Sequence, residues 1–144
     1  MNTTRTFSWR DQAVYVTAAS LTTTTLFLAR GLQPSAQGFG THEQLGLPPC
    51  AFFTLTGLPC PSCGMTTCFA HAAKFHFAEA LAAQPFGLLV FFLAVFLIPA
   101  TMYLLRVRVP VKSIVLSSFV RQSVPVLLGL YLLGWTYKLA VLWP

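Results

Sequence analysis

The 144 residues are 56% hydrophobic and only 8% charged, against about a quarter charged in a soluble globule, so one membrane-embedded domain over 1–144 fits better than a soluble fold. Nine Lys and Arg against three Asp and Glu give a formal charge of +6, which in a soluble chain would raise nucleic-acid binding. No zinc-finger, helix-turn-helix or RNP-like pattern accompanies that charge, and no nucleic-acid partner is expected.

A bilayer core about 30 Å thick needs about 20 mostly apolar residues in a helix. In chain order the first candidate is Ala13 to Ala29, the shortest, which carries Thr22, Thr23, Thr24 and Thr25. Threonine hydroxyls bond back to the preceding helical turn, which makes the run tolerable in lipid. Arg5 and Arg10 precede it, so a cleaved signal peptide is the alternative. Its apolar stretch is long, and the exit Ala29-Arg30-Gly31-Leu32 lacks a small-x-small site; around Ser35-Ala36 the minus-three residue would be Pro34. A retained span is therefore expected.

From Arg30 to Pro49 the composition turns to Gly, Pro, Gln and Ser, an exposed linker with turns at Gly38, Gly40, Gly46, Pro48 and Pro49. Ala51 to Leu58 is too short to span and reads as an interfacial segment. A short helix is expected to begin near Pro61 or Gly64, with Ser62, Thr66 or Thr67 capping it, and a second amphipathic piece covers Phe77 to Ala83. Pro85 to Leu105 carries no charge and is the firmest span; Pro61 and Pro85 suit first helical turns. The last span, Val124 to Trp143, holds only Lys138, whose stem would snorkel to the interface, with Tyr137 and Trp143 in the aromatic belt. Pro99 and Pro125 are kink positions, and Gly129 and Gly134, five apart, do not form a GxxxG face.

The expected fold is thus an all-α membrane protein with about three transmembrane helices, near 13–29, 85–105 and 124–143, and a Cys-motif loop with short interfacial helices at 50–84 between the first and second. Six of the nine basic residues, Arg5, Arg10, Arg106, Arg108, Lys112 and Arg121, flank one side. Positive-inside bias puts that side in the cytoplasm and the cysteine loop outside, in a multi-pass protein of the cell membrane, the inner membrane in a Gram-negative cell.

Cys50, Cys60, Cys63 and Cys68 all fall in that outer segment. In an oxidising compartment four cysteines allow two disulfides in three pairings. Cys60-Pro61-Ser62-Cys63-Gly64 resembles a thiol pair at a helix start, where the dipole favours the thiolate and lowers its pKa. A metal site would take Cys60, Cys63 and Cys68 with His71 or Cys50 as fourth ligand, a thiolate and imidazole set that suits zinc. It requires Cys60 to Gly64 to fold back over the helix carrying Cys68 and His71, because on one straight helix Cys60 and His71 would be about 16 Å apart. Structural packing or a cystine is the third alternative. His42 and His76 read as exposed loop residues, and Glu43 and Glu79 lack a carboxylate partner, so no glycosidase or protease pair is formed. Ser-His-Asp, phosphate-loop and HExxH patterns do not occur, and an enzyme is not the expectation.

The stretch CPSCGMTTCFAHAAKFHFAEALAAQPFG resembles the domain of unknown function 2752 family of small bacterial membrane proteins. The resemblance covers roughly Cys50 to Leu105 and rests on Cys60, Pro61, Cys63, Gly64, Thr66, Ala80 and Pro85. Thr67 stands where that family often has Arg, and Gln84 where Asn is common. The family has no assigned activity, so the resemblance implies a membrane architecture and no reaction. The expected role is a non-enzymatic membrane protein whose Cys loop is a structural or interaction element at the non-cytoplasmic face, with the bilayer and a membrane protein as partners. The alternative is a membrane-bound thiol-disulfide or zinc-site accessory protein.

Overall fold

The computed structural model describes residues 7–142, so the expectations placed on Arg5 and Trp143 lie outside the described residues. The first helix, α1, runs Trp9–Gly31. Ser8 starts it with a reciprocal cap: its side chain accepts from the helix backbone, and the Asp11 carboxylate accepts the Ser8 N–H at 2.8 Å. Thr23 and Thr25 donate to the Ala19 and Leu21 carbonyls at 2.8 and 2.9 Å, the back-bonding that lets threonine sit in an apolar helix.

Four short helices follow: a 3-10 turn at Thr41–Leu45, then α2 at Ala51–Thr56, α3 at Met65–Ala72 and α4 at Phe77–Ala83. The α4 bounds are those read from the sequence. Helix α5 spans Pro85–Val107 with Pro85 in its first turn, where a missing N–H costs no hydrogen bond. A short α6, Val111–Val115, leads into α7, Ser118–Leu142. Among the described residues every regular element is helical.

Two helices are long and apolar enough to cross a membrane: Pro85–Val107, mean hydropathy 2.6, and Ser118–Ala140, mean hydropathy 1.2. Helix α1 has the length, but its threonine run keeps it out of that pair. In each of the two, 11% of the most apolar stretch is buried within the protein. Phe92, Phe96, Leu97, Val126, Leu128 and Leu133 all face outward.

At one end of the long helices the chain is tied by Asp11 and Tyr15. The Asp11 carboxylate accepts the Val111 N–H at 2.9 Å, and the Tyr15 hydroxyl donates to the Val109 carbonyl at 2.9 Å. This places the start of α1 beside the basic stretch that holds Arg106, Arg108 and Lys112. At the other end α3 and α4 pack on α5 through Cys68, Ala72, Ala80, Ala83 and Phe91, with Leu26, Phe69, Ala73 and Leu88 around them. The small side chains allow close approach: a Cβ on Gly87 of α5 would lie 3.0 Å from the Cys68 sulfur. Gly134 of α7 faces Phe86 in the same way, its missing Cβ 3.0 Å from the Phe86 Cβ, whereas Gly129 faces open space.

Candidate functional site

The CPSC segment is a pair of overlapping turns that delivers the chain to α3. Cys63 N–H donates to the Cys60 carbonyl at 2.9 Å, Met65 N–H to Ser62 at 3.1 Å, and Cys68 N–H to Gly64 at 2.8 Å, the last opening the helix. Pro61 holds the φ that such a turn requires after Cys60. Gly64 is the N-cap, left-handed at φ 85°, and no side chain caps the helix, so the expected capping by Ser62, Thr66 or Thr67 is not what forms. Thr67 is instead fully buried and shares a 2.7 Å hydrogen bond with Thr41, pinning the 3-10 turn to α3.

Two side chains, from α7 and from the cap of α5, hold this turn by its backbone, and a third ties together the linker and α4 beside it. Trp135 Nε1 donates to the Pro59 carbonyl at 2.9 Å, and Gln84 Nε2 to Pro61 at 3.0 Å. Lys138 Nζ donates to Ala83 at 2.6 Å and to Gly38 at 3.2 Å. Lys138 is only 3% exposed, so it turns inward to these two carbonyls and does not snorkel outward. The driving force is the cost of leaving such acceptors unpaired, about 1–3 kcal/mol for a buried one. The Gln84 Oε1 and the His71 Nδ1 are buried without a partner.

Cys50, Cys60 and Cys63 line one open depression of about 290 Å³, together with His42, Glu43 and Thr66. All four cysteines are free thiols, with Cys50 and Cys60 partly exposed and Cys63 and Cys68 buried. Of the three in the depression, Cys60 adjoins both of the others and bears on the ionisation of each, while Cys50 reaches Cys63 only through its charge. Cys60 Sγ also lies 3.5 Å from the Ser62 hydroxyl. The backbone N–H of Phe53 faces the Cys50 sulfur at the start of α2, without closing a capping hydrogen bond, and lowers its pKa, with the thiol of Cys60 adding to the effect. Burial, and then the neighbouring Cys60, pushes the Cys63 thiol up to about 11. The lowered pKa expected of the CPSC pair from a helix start therefore does not hold for Cys63, because desolvation of a thiolate outweighs the dipole of an eight-residue helix.

The expected metal set is divided among three places. Cys60 and Cys63 share the depression; Cys68 is fully enclosed against Gly87, and burial pushes its thiol up to about 12. His71 faces a separate depression of about 410 Å³ with Glu79, Ser35 and Lys138, and burial lowers its pKa. Among the described residues no group of three or more His, Cys, Asp or Glu is placed to hold a metal ion. Of the motif residues, Pro85 starts α5 and Thr66 stands at the rim of the thiol depression. His42 is half-buried, with Nε2 3.2 Å from the Pro48 carbonyl, and His76 is exposed.

Lys138 and Gln84 are the site residues that pattern reading passed over. The signal for Lys138 was present: an ionisable residue in an otherwise apolar span is a functional position before it is a snorkelling one. For Thr41 no local signal exists, since its partner is 26 residues away.

Residues 50–98 match the family model described as Protein of unknown function (DUF2752). The matched segment begins at Cys50 and contains the three thiols of the depression, α2 to α4 and the first half of α5. No curated protein and no solved structure matches the chain.

Proposed function

We propose that this chain, a member of the domain of unknown function 2752 family by its match over residues 50–98, is an integral membrane protein. In this reading its cysteine loop is a rigid structural or interaction element at the non-cytoplasmic ends of the spans. The observation that carries the membrane reading is the outward apolar surface of two 23-residue helices buried over only 11% of their most apolar stretch. A core helix of a soluble protein would be mostly covered, and neither helix is near the amino terminus, where a signal sequence would be. Helix α1 is the third span, its threonines satisfied by back-bonds.

The loop side follows from charge. Arg10, Arg106, Arg108, Lys112 and Arg121 belong to the end that Asp11 and Tyr15 tie together, which positive-inside bias assigns to the cytoplasm. The thiol depression is at the other end. Its turn is held by Trp135 and Gln84, with Lys138 tying the linker and α4 beside it, and is no flexible linker, so it presents a defined surface to a membrane-protein partner. The thiol-exchange form of the accessory role is favoured over the zinc form, because Cys50, Cys60 and Cys63 line one depression while Cys68 and His71 lie elsewhere. Extraction of membranes with alkaline carbonate tests the reading: the protein stays in the pellet and keeps its amino-terminal residues. Release into the supernatant, or a mature start beyond Ala29, would remove the three-span form.

A further inference from the structure

The geometry points to Cys60 as a shared disulfide partner, able to close with Cys50 or with Cys63 but never with both, so that the loop passes a disulfide inward from its exposed thiol to its buried one. The inference rests on the loop facing an oxidising compartment only for its use in the cell; the chemistry itself is a property of the folded loop.

Three observations carry it. Cys60 interacts with both other thiols, which line the same depression. Cys60 and Cys63 are first and last residues of a hydrogen-bonded turn, whose Cα atoms lie within about 7 Å, in the range a disulfide bridges. Exposure is graded: Cys50 and Cys60 are partly open, and Cys63 is 7% exposed. Cys68 is enclosed by α5 and takes no part. The lowered pKa of Cys50 and the raised pKa of Cys63 agree in direction with entry at the first and closure at the second.

The oxidant is a disulfide of a protein or peptide reaching the depression. The Cys50 thiolate attacks one sulfur of that disulfide, forming a mixed disulfide and releasing the first substrate thiolate. The Cys60 thiolate then attacks the Cys50 sulfur, forming Cys50–Cys60 and releasing the second substrate thiolate. The Cys63 thiolate attacks the Cys60 sulfur, giving Cys60–Cys63 and returning Cys50 as a thiolate. Two protein thiols are oxidised, one substrate disulfide is reduced to two thiols, and the two protons lost by the protein are taken up by those thiolates. Reversal of the sequence oxidises a substrate dithiol. The fixed turn is what separates this from random pairing: Cys60 adjoins both other thiols, whereas Cys50 acts on Cys63 only through the longer reach of its charge.

The test uses the full chain purified in detergent, fully reduced, in a C68S background, with oxidised glutathione as the probe. Three variants each keep one pair: C63S leaves Cys50 with Cys60, C50S leaves Cys60 with Cys63, and C60S leaves Cys50 with Cys63. Thiol counting and mass spectrometry should find that the first two close an internal disulfide. The third should close at least about tenfold more slowly and accumulate glutathione adducts. In the chain that keeps all three thiols, differential alkylation read by fragment-ion mass spectrometry should show Cys50–Cys60 rising first and Cys60–Cys63 replacing it. This second measurement needs no folded variant. Closure of the Cys50–Cys63 pair at the rate of the others, or glutathione adducts without any internal disulfide when all three thiols are present, would overturn the inference while leaving the membrane reading untouched.

Discussion

The Nζ of Lys138 lies 2.7 Å from the point a Cβ on Gly64 would occupy. The same point is 2.7 Å from the Gly38 carbonyl and 2.9 Å from the Ala83 carbonyl, the two acceptors of Lys138. One absent methyl group thus admits the lysine and both carbonyls to a single junction between linker, α3, α4 and α7.

Gly64→Ala should therefore be among the most damaging single changes in the loop. It meets backbone strain at φ 85° and a clash with two backbone carbonyls that cannot swing aside, together about 2–5 kcal/mol. Thermal denaturation of the detergent-purified variant, followed by loss of fixed tertiary signal, checks this. A wild-type midpoint would contradict the packing described.

Lys138→Met keeps the stem and removes the donor, leaving the buried Ala83 carbonyl unpaired at about 1–3 kcal/mol and the half-buried Gly38 carbonyl at less. The expected readout is faster proteolysis between Ser35 and Ala83 with the long helices intact. Lys138→Arg should not rescue, because the guanidinium is bulkier than the space beside Gly64 allows. Equal protease resistance in Lys138→Met and wild type would show that the inward lysine is not what holds the loop.

Thiol reactivity should follow the order of exposure and acidity. At pH 7 a thiol with a pKa of about 11 is ionised in about one molecule in 10,000, so Cys63 and Cys68 should alkylate far more slowly than Cys50. For Cys63 the folded pKa stands above the ordinary 9.0, so the folded loop favours the protonated thiol. Its contribution is complete below pH 9 and is lost as pH rises through about 11. Stability measured from pH 7 to 11 should fall only in the upper part of that range, and the fall should shrink in Cys63→Ala. Equal alkylation rates for Cys50 and Cys68 in the native protein would contradict the assignment.

Trp135→Phe removes the hydrogen bond to the Pro59 carbonyl and leaves most of the ring packing, a loss of about 1 kcal/mol. Accelerated hydrogen exchange at Cys60 to Cys63, relative to α3, is the expected signature.

Much of the architecture was legible because hydropathy and punctuation act locally. The uncharged run from Pro85, the α4 bounds and the threonine back-bonds in α1 follow from apolar length, first-turn proline and side-chain chemistry within a few residues. The helix after the CPSC turn was expected near Pro61 or Gly64 and begins after Gly64. The site was less legible. Which thiols meet depends on Cys50 being carried back to Cys60 by α2, and the fate of Lys138 on carbonyls 55 and 100 residues away. Proximity in sequence favoured Cys68 and His71 as companions of the CPSC pair, yet one turns into the core and the other toward a separate depression.

Labelling with a membrane-impermeant maleimide on intact cells, after mild reduction, is the most direct test of a membrane protein whose thiol loop faces outward. The account predicts that Cys50 and Cys60 label without permeabilisation, that Cys68 does not, and that a cysteine placed at Ser113 labels only after permeabilisation. The reverse pattern, with Ser113→Cys open to the reagent and Cys50 and Cys60 protected, would contradict it.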